Sequence, residues 1–179
     1  MSVAAPDAHG YPSIGFGHRI VEGESFPHPI THEEAHNLKR QDLVRFEAAV
    51  SALVREPTQA QYDAMVLFAY NIGVAGFGSS SVSSRFEAGD VAGAADAFLP
   101  WCLARNVDTR ELEVDLVLAG RRWRERARFL ESPASDWHSF QTALAEHEFY
   151  AGALDGIPGP LTLAAVTELR AFVLAGGAV

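Results

Sequence analysis

Tyr62, Met65, Val66, Leu67, Phe68, Ala69 and Tyr70 make one segment of this chain apolar nearly all round at helical spacing. A helix with no polar face has no solvent side, so it belongs in the middle of a core with other helices packed about it. Thr58-Gln-Ala-Gln61 is a capping box, in which the Thr hydroxyl and the Gln side chain satisfy free N–H groups of the first turn, and it sets the start of this helix. Gly73, after Asn71-Ile72, is its expected C-cap.

A second capping box, Thr31-His-Glu-Glu34, opens a helix expected to run to about Arg55 and to end before Pro57. Ala35, Leu38, Phe46, Val50, Leu53 and Val54 give it one apolar face. Further on, Ser80 to Gly89 and Asp90 to Leu99 read as two short helices with Phe86, Val91, Ala94, Ala95 and Phe98 turned inward. Asp108 with Glu111 is read as the cap of a longer helix carrying Leu112, Leu116, Trp123, Ala127 and Leu130, which Gly120 interrupts or kinks. Glu131-Ser-Pro-Ala-Ser-Asp136 is polar, holds a proline and separates two periodic segments, so it is the expected domain boundary. Beyond it, Trp137, Phe140 and Leu144 form one helix face. A long turn over residues 149–160 follows, and Pro160 starts a last helix carrying Leu161, Ala165, Val166, Leu169 and Phe172.

The N-terminal stretch has a different character. In Asp7-Ala-His-Gly-Tyr-Pro-Ser13-Ile-Gly-Phe-Gly-His18, Gly10, Gly15 and Gly17 suit a tight β-hairpin that would aim Asp7 and Ser13 into a cleft. Glycoside hydrolysis generally uses two carboxyl groups flanking the scissile bond, and Asp7 is one such group. His18, at a strand end, reads as a structural hydrogen-bond partner. The stretch resembles the active-site hairpin of phage-type lysozymes, glycoside hydrolase family 24, which carry Asp-x-x-Gly-x-x-Thr-Ile-Gly-aromatic-Gly-His. Serine stands here for the threonine and keeps the hydroxyl. Gln61 to Gly73 is similar to the central helix of the same family, which ends in Asn-Ile-Gly. Gly120-Arg-Arg-Trp-Arg-Glu125 is similar to its closing Arg-Arg-x-x-Glu motif, with the arginines on a solvated face, clamping the hairpin or contacting acidic substrate groups. Phe140-Gln141, Leu144, Tyr150, Gly152, Asp155-Gly156, Gly159-Pro160, Thr162 and Ala165-Val166 resemble the peptidoglycan-binding repeat of bacterial wall hydrolases. Glu168-Leu169-Arg170 departs from it where an aromatic residue and a glutamine are often seen.

These resemblances imply a mainly α chain: an α+β lysozyme-like domain with a small N-terminal β-hairpin over residues 1–131, lacking the family's first helix, and a small all-α wall-binding domain over residues 136–179. They imply a muramidase cutting the β-1,4 bond between N-acetylmuramic acid and N-acetylglucosamine. Asp7 would activate water or stabilise the transition state and Ser13 would orient that water. Asn71, Tyr150, Asp155 and Thr162 would contact substrate, while His18 and Arg122 would be structural residues near the site. The family's proton-donating glutamate stands nine residues before the aspartate, and the sequence begins six residues before Asp7. Glu22 and Glu24 are the nearby carboxyls, in an expected loop. The alternative is therefore a peptidoglycan-binding protein with a degenerate catalytic domain.

His28, His32 and His36, four apart, raise a zinc hydrolase, because wall-binding repeats also accompany zinc amidases. Zinc needs several ligands converging on one point. Pro29 and Thr31 put His28 outside the helix, so His32 and His36 read as a surface pair, and no metal or other cofactor is expected. A formal charge of −9 argues against nucleic acid or an anionic membrane as partner. One cysteine, Cys102, excludes an internal disulfide. No signal peptide is visible and no run is long enough to span a membrane. The pattern suits a monomeric endolysin that waits in the cytoplasm, needs a holin-type membrane partner for release and acts on peptidoglycan in the wall.

Overall fold

The computed structural model describes residues 1–6 and 11–179. The chain divides into two units, Met1–Ala49 and Val50–Val179.

In the first unit, β1 (Ala5–Pro6), β2 (Pro12–Ile14) and β3 (His18–Arg19) form an antiparallel sheet in that order. Ala5 pairs with Ser13, and Ile14 with His18. The expected hairpin is thus β2–β3, and β1 adds a third strand. Gly15 and Gly17 have φ of 65° and 90°, the left-handed region that glycine tolerates at the turn. A Cβ on Gly15 would lie 3.1 Å from Ala35 Cβ, so close packing of turn against helix also requires a glycine there. Ser2 pairs with Ile30 as an isolated bridge, and the Gly15 N–H donates to Ser2 Oγ at 3.1 Å. α1 (His32–Leu53) starts where the Thr31–Glu34 capping box places it. The Thr31 N–H donates to Glu34 and the Glu34 N–H to Thr31 Oγ1, at 2.7 and 3.2 Å. Ile14, Ile30 and Ala35 form a small buried cluster flanked by Ile20, Phe26 and Leu38.

In the second unit, α2 (Gln59–Ser79) is the central helix and carries the full Thr58–Gln61 capping box. Ala64, Met65, Phe68 and Ala69 are wholly buried, as an apolar helix requires. Gly73, at φ 84°, ends the first stretch, and a second helical stretch resumes beyond the kink. α3 (Ser81–Glu87) and α4 (Val91–Asp96) are the two short helices. Phe68 meets Phe77, Phe98 and Trp101 edge-on, with centroids 4.8–6.4 Å apart, the geometry that aromatic quadrupoles favour.

The expected helix from Asp108 is corrected. β4 (Leu103–Arg105) and β5 (Leu112–Val114) form an antiparallel hairpin there, and α5 (Leu116–Phe129) begins only after it. The cause is local: Asn106 Oδ1 accepts the N–H groups of Asp108 and Thr109, building a side-chain-closed turn, and Arg110 sits at φ 63°. Asp115 is the actual cap, accepting the Leu118 N–H at 2.8 Å. Gly120 does not kink α5. It makes room for a neighbour, since a Cβ there would fall 2.8 Å from Trp137 Cζ2.

α6 (Trp137–Glu146) is capped by Asp136, and α7 (Pro160–Leu174) has Pro160 in its first turn. Their apolar faces share one cluster with α5. Trp123 stacks on Phe140 with centroids 4.6 Å apart, and Leu99, Cys102 and Ala119 join Leu144, Tyr150, Val166 and Leu169. Among the described residues no single helix is long and apolar enough to cross a membrane.

Candidate active site and its supporting residues

Asp7 lies outside the described residues, as do Ala8, His9 and Gly10. Pro6, the residue before Asp7 in the sequence, pairs with Pro12. Ser13 is on the middle strand, and its hydroxyl donates to Ala5 O at 3.2 Å. That bond leaves the oxygen's lone pairs available to accept a hydrogen from water.

His18 ends the turn and bridges two carboxylates. Its Nδ1 lies 2.9 Å from Asp42 Oδ2 on α1, and its Nε2 lies 3.1 Å from Glu24 Oε2. The ring thus ties strand, loop and helix together. Asp42 carries no signal in the sequence, because only folding brings it to a residue 24 positions earlier. Glu24 also accepts the Val21 N–H at 2.9 Å. That backbone hydrogen bond, with His18 beside it, holds the Glu24 carboxyl below its ordinary value, so it is an ion at neutral pH and unsuited to donate a proton. Glu22 is exposed. His32 and His36 stand on the exposed first turns of α1 with ring centroids 4.4 Å apart, and Phe16 packs against both. Among the described residues no group of three or more metal-binding side chains converges.

In the second unit Asn71 and Arg122 meet. Arg122 is wholly buried and donates from Nη2 to Asn71 Oδ1 at 2.9 Å and to Glu125 Oε1 at 2.8 Å. Its Nε approaches Glu125 Oε2 to 2.7 Å, a charge contact without the alignment of a hydrogen bond. The guanidinium also lies over the Phe68 ring, 4.9 Å from the centroid. Burial lowers the Arg122 pKa and raises that of Glu125, each opposed by the partner's charge. The arginine expected on a solvated face is instead buried and ties α5 to α2 just before the break at Gly73. With its oxygen taken, Asn71 keeps its NH₂ for another acceptor.

Tyr150 and Asp155 come together around one buried residue, Gln141, whose Nε2 donates to Tyr150 Oη at 3.3 Å. Gln141 Nε2 donates to Asp155 Oδ1 and to Ile157 O, each at 3.1 Å, and Gln141 Oε1 accepts the Gly156 N–H at 2.8 Å. Tyr150 Oη donates to Ala153 O at 2.9 Å. Thr162 Oγ1 accepts the Gly159 N–H at 3.3 Å, closing the start of α7. The Ile157 N–H, then Gln141, hold the Asp155 carboxyl below its ordinary value. These polar groups shape the loop before α7: Gln141 joins Tyr150 to Asp155, and Thr162 stands apart from it at the start of α7.

The model of the phage lysozyme family matches residues 1–125. The chain belongs to that family. The endolysin of Salmonella phage P22 is 40% identical over 131 residues, covering 71% of this chain and 85% of the relative. Among solved structures, an endolysin from Escherichia coli O157:H7 phage FAHEc1 superposes with a TM-score of 0.65 at 30% identity, over 72% of this chain and 82% of that one. The muramidase domain of SpmX from Asticaccaulis excentricus gives 0.63 at 36% identity, over 71% and 84%. The expected α+β lysozyme fold and the expected enzyme class, a muramidase-type hydrolase, are both met in this family member.

Proposed function

We propose that this phage lysozyme family member hydrolyses the β-1,4 bond between N-acetylmuramic acid and N-acetylglucosamine in bacterial peptidoglycan. The observation that carries the reading is the Asp7-to-His18 pattern in a family-matched chain, with Ser13 and His18 fixed on the sheet and its turn. Asp7 activates water or stabilises the oxocarbenium-like transition state, and Ser13 orients that water by accepting one of its hydrogens. Asn71 offers its NH₂ to the sugar chain. Residues 136–179 serve as a wall-binding module through the loop built by Tyr150, Asp155 and Thr162. Tethering the enzyme to an insoluble polymer raises its local concentration there. The enzyme acts as a monomer, and it stays cytoplasmic until a holin-type partner opens the way to the wall.

The test is digestion of purified peptidoglycan, with Asp7→Asn as control, scored by mass spectrometry for new reducing-end N-acetylmuramic acid. Such fragments from the native chain and none from the variant are expected. Binding to the wall with no release by the native chain would replace this reading with the wall-binding alternative.

A further inference from the structure

Arg121, Arg124 and Arg128 recur at helical spacing, so they lie along one face of α5 over about 10 Å of its length. That face is not flat. It lines a cavity of about 570 Å³, whose wall also includes Leu67 of α2 and Ser132 and Ser135 of the following loop. The size is that of sites for small organic ligands rather than for a lone inorganic ion. Glu125 is the carboxylate in the lining, and it is already shared between Arg121 and the buried Arg122. Asp63 engages one arm of Arg128 at 2.6 Å. Arg124 is exposed and has no ion-pair partner among the described residues. The lining thus holds three guanidiniums and one carboxylate, a local positive excess on a chain whose formal charge is −9. Arg128, Ser132 and Ser135 fall beyond residues 1–125, so this cavity is completed by a part of the chain outside the family match.

We propose that this cavity binds a carboxylate-bearing peptide, the stem peptide of peptidoglycan. The proposal rests on the muramidase reading for its choice of polymer. Guanidinium groups spaced along a helix suit anionic groups spaced along a chain, each taken by forked N–H donors. The two serine hydroxyls suit peptide amides, and the half-exposed Leu67 suits a methyl side chain. A polyol phosphate offers neither amides nor methyls.

The test is calorimetric titration of the native chain with free stem tetrapeptide, which has no glycosidic bond, so binding is read independently of cleavage. Saturable binding is expected, weakened about tenfold by Arg124→Ala, the loss of one charge-assisted contact, and unchanged by Arg110→Ala in the β4–β5 loop. Arg124→Gln keeps the stem and helix propensity and is expected to weaken binding alike. Thermal unfolding checks that each variant is folded. No saturable binding by the native chain, equal binding after both Arg124 substitutions, or equal binding of a glycerol phosphate oligomer would each overturn the proposal. Cleavage without peptide binding removes the cavity's role alone. Peptide binding without cleavage removes the muramidase reading alone.

Discussion

Between residues 1 and 49 the small cluster of Ile14, Ile30 and Ala35 is reinforced by polar ties: Ser2 to Gly15, and His18 to both Asp42 and Glu24. From residue 50 onward, aromatic rings in edge and stacked contacts fill the interior, and even the buried charges pair there. Burying a large apolar side chain contributes about 1.5–3 kcal/mol, whereas one net hydrogen bond contributes about 1. The second unit is accordingly a stiff body whose parts fail together. The described residues of the first unit are held chiefly by a few polar links.

Breaking the Arg122–Glu125 pair is the most severe test of that contrast. Glu125→Leu leaves the Arg122 guanidinium buried against a neutral side chain and is expected to cost about 4 kcal/mol of unfolding free energy, measured by denaturant titration. A loss below about 1 kcal/mol would mean that Arg122 reaches water and that the interior is softer than described. Filling the gap at Gly120 is next. Gly120→Ala drives a methyl into Trp137, and about 2 kcal/mol is expected to be lost as α6 shifts from α5. Should stability rise instead, helix propensity outweighs packing at that seam.

His18→Ala carries the contrast into the first unit. About 1–2 kcal/mol is expected, confined to faster hydrogen exchange at the β2 and β3 amides, with those of α2 and α5 unchanged. Equal acceleration in both units would dissolve the distinction. Acid supplies the mildest perturbation. The Glu24 and Glu34 carboxyls are lowered chiefly by backbone N–H groups of Val21 and Thr31, Asp63 by the Arg128 side chain, and Asp136 and Asp155 by N–H groups of Ser139 and Ile157. Lowered carboxyls take up protons later in the folded than in the unfolded chain. Their contribution is therefore present above the ordinary values of 4.5 for glutamate and 3.8 for aspartate and is lost as pH falls through the folded ones. A falling melting temperature is expected as pH drops below about 5, with a shallower fall in Glu34→Gln and Asp155→Asn. A flat profile would remove these bonds from any role in stability.

Much of this architecture is written in short-range pattern. The Thr31 and Thr58 boxes start helices because hydroxyl and partner are three residues apart and need nothing distant. The all-apolar face from Tyr62 to Tyr70 has one place to go. Asp108 misled because the same Asp and Glu types serve turns as well as caps, and Asn106, two residues earlier, captures the free N–H groups first. Asp115, directly before Leu116-Val117-Leu118, was the better cap signal. Gly120 reads as a breaker only while Trp137 is unseen. In the first unit, the turn joining Ser13's strand to His18's was legible because it is local. Asp42, the burial of Arg122 and the gathering of Tyr150 and Asp155 about Gln141 depend on contacts between distant segments, which spacing does not encode.

Trp101, Trp123 and Trp137 all lie in the second unit, Trp101 edge-on to Phe68 and the other two on either side of Phe140. The molecule's intrinsic ultraviolet emission is therefore a gauge of that unit, and particularly of the contact between α5 and α6. Residues 1–49 contain no tryptophan. A denaturation curve followed by this light would stay level while the strands around Ser13 came apart, so residues 1–49 are spectroscopically dark and need a label of their own to be followed.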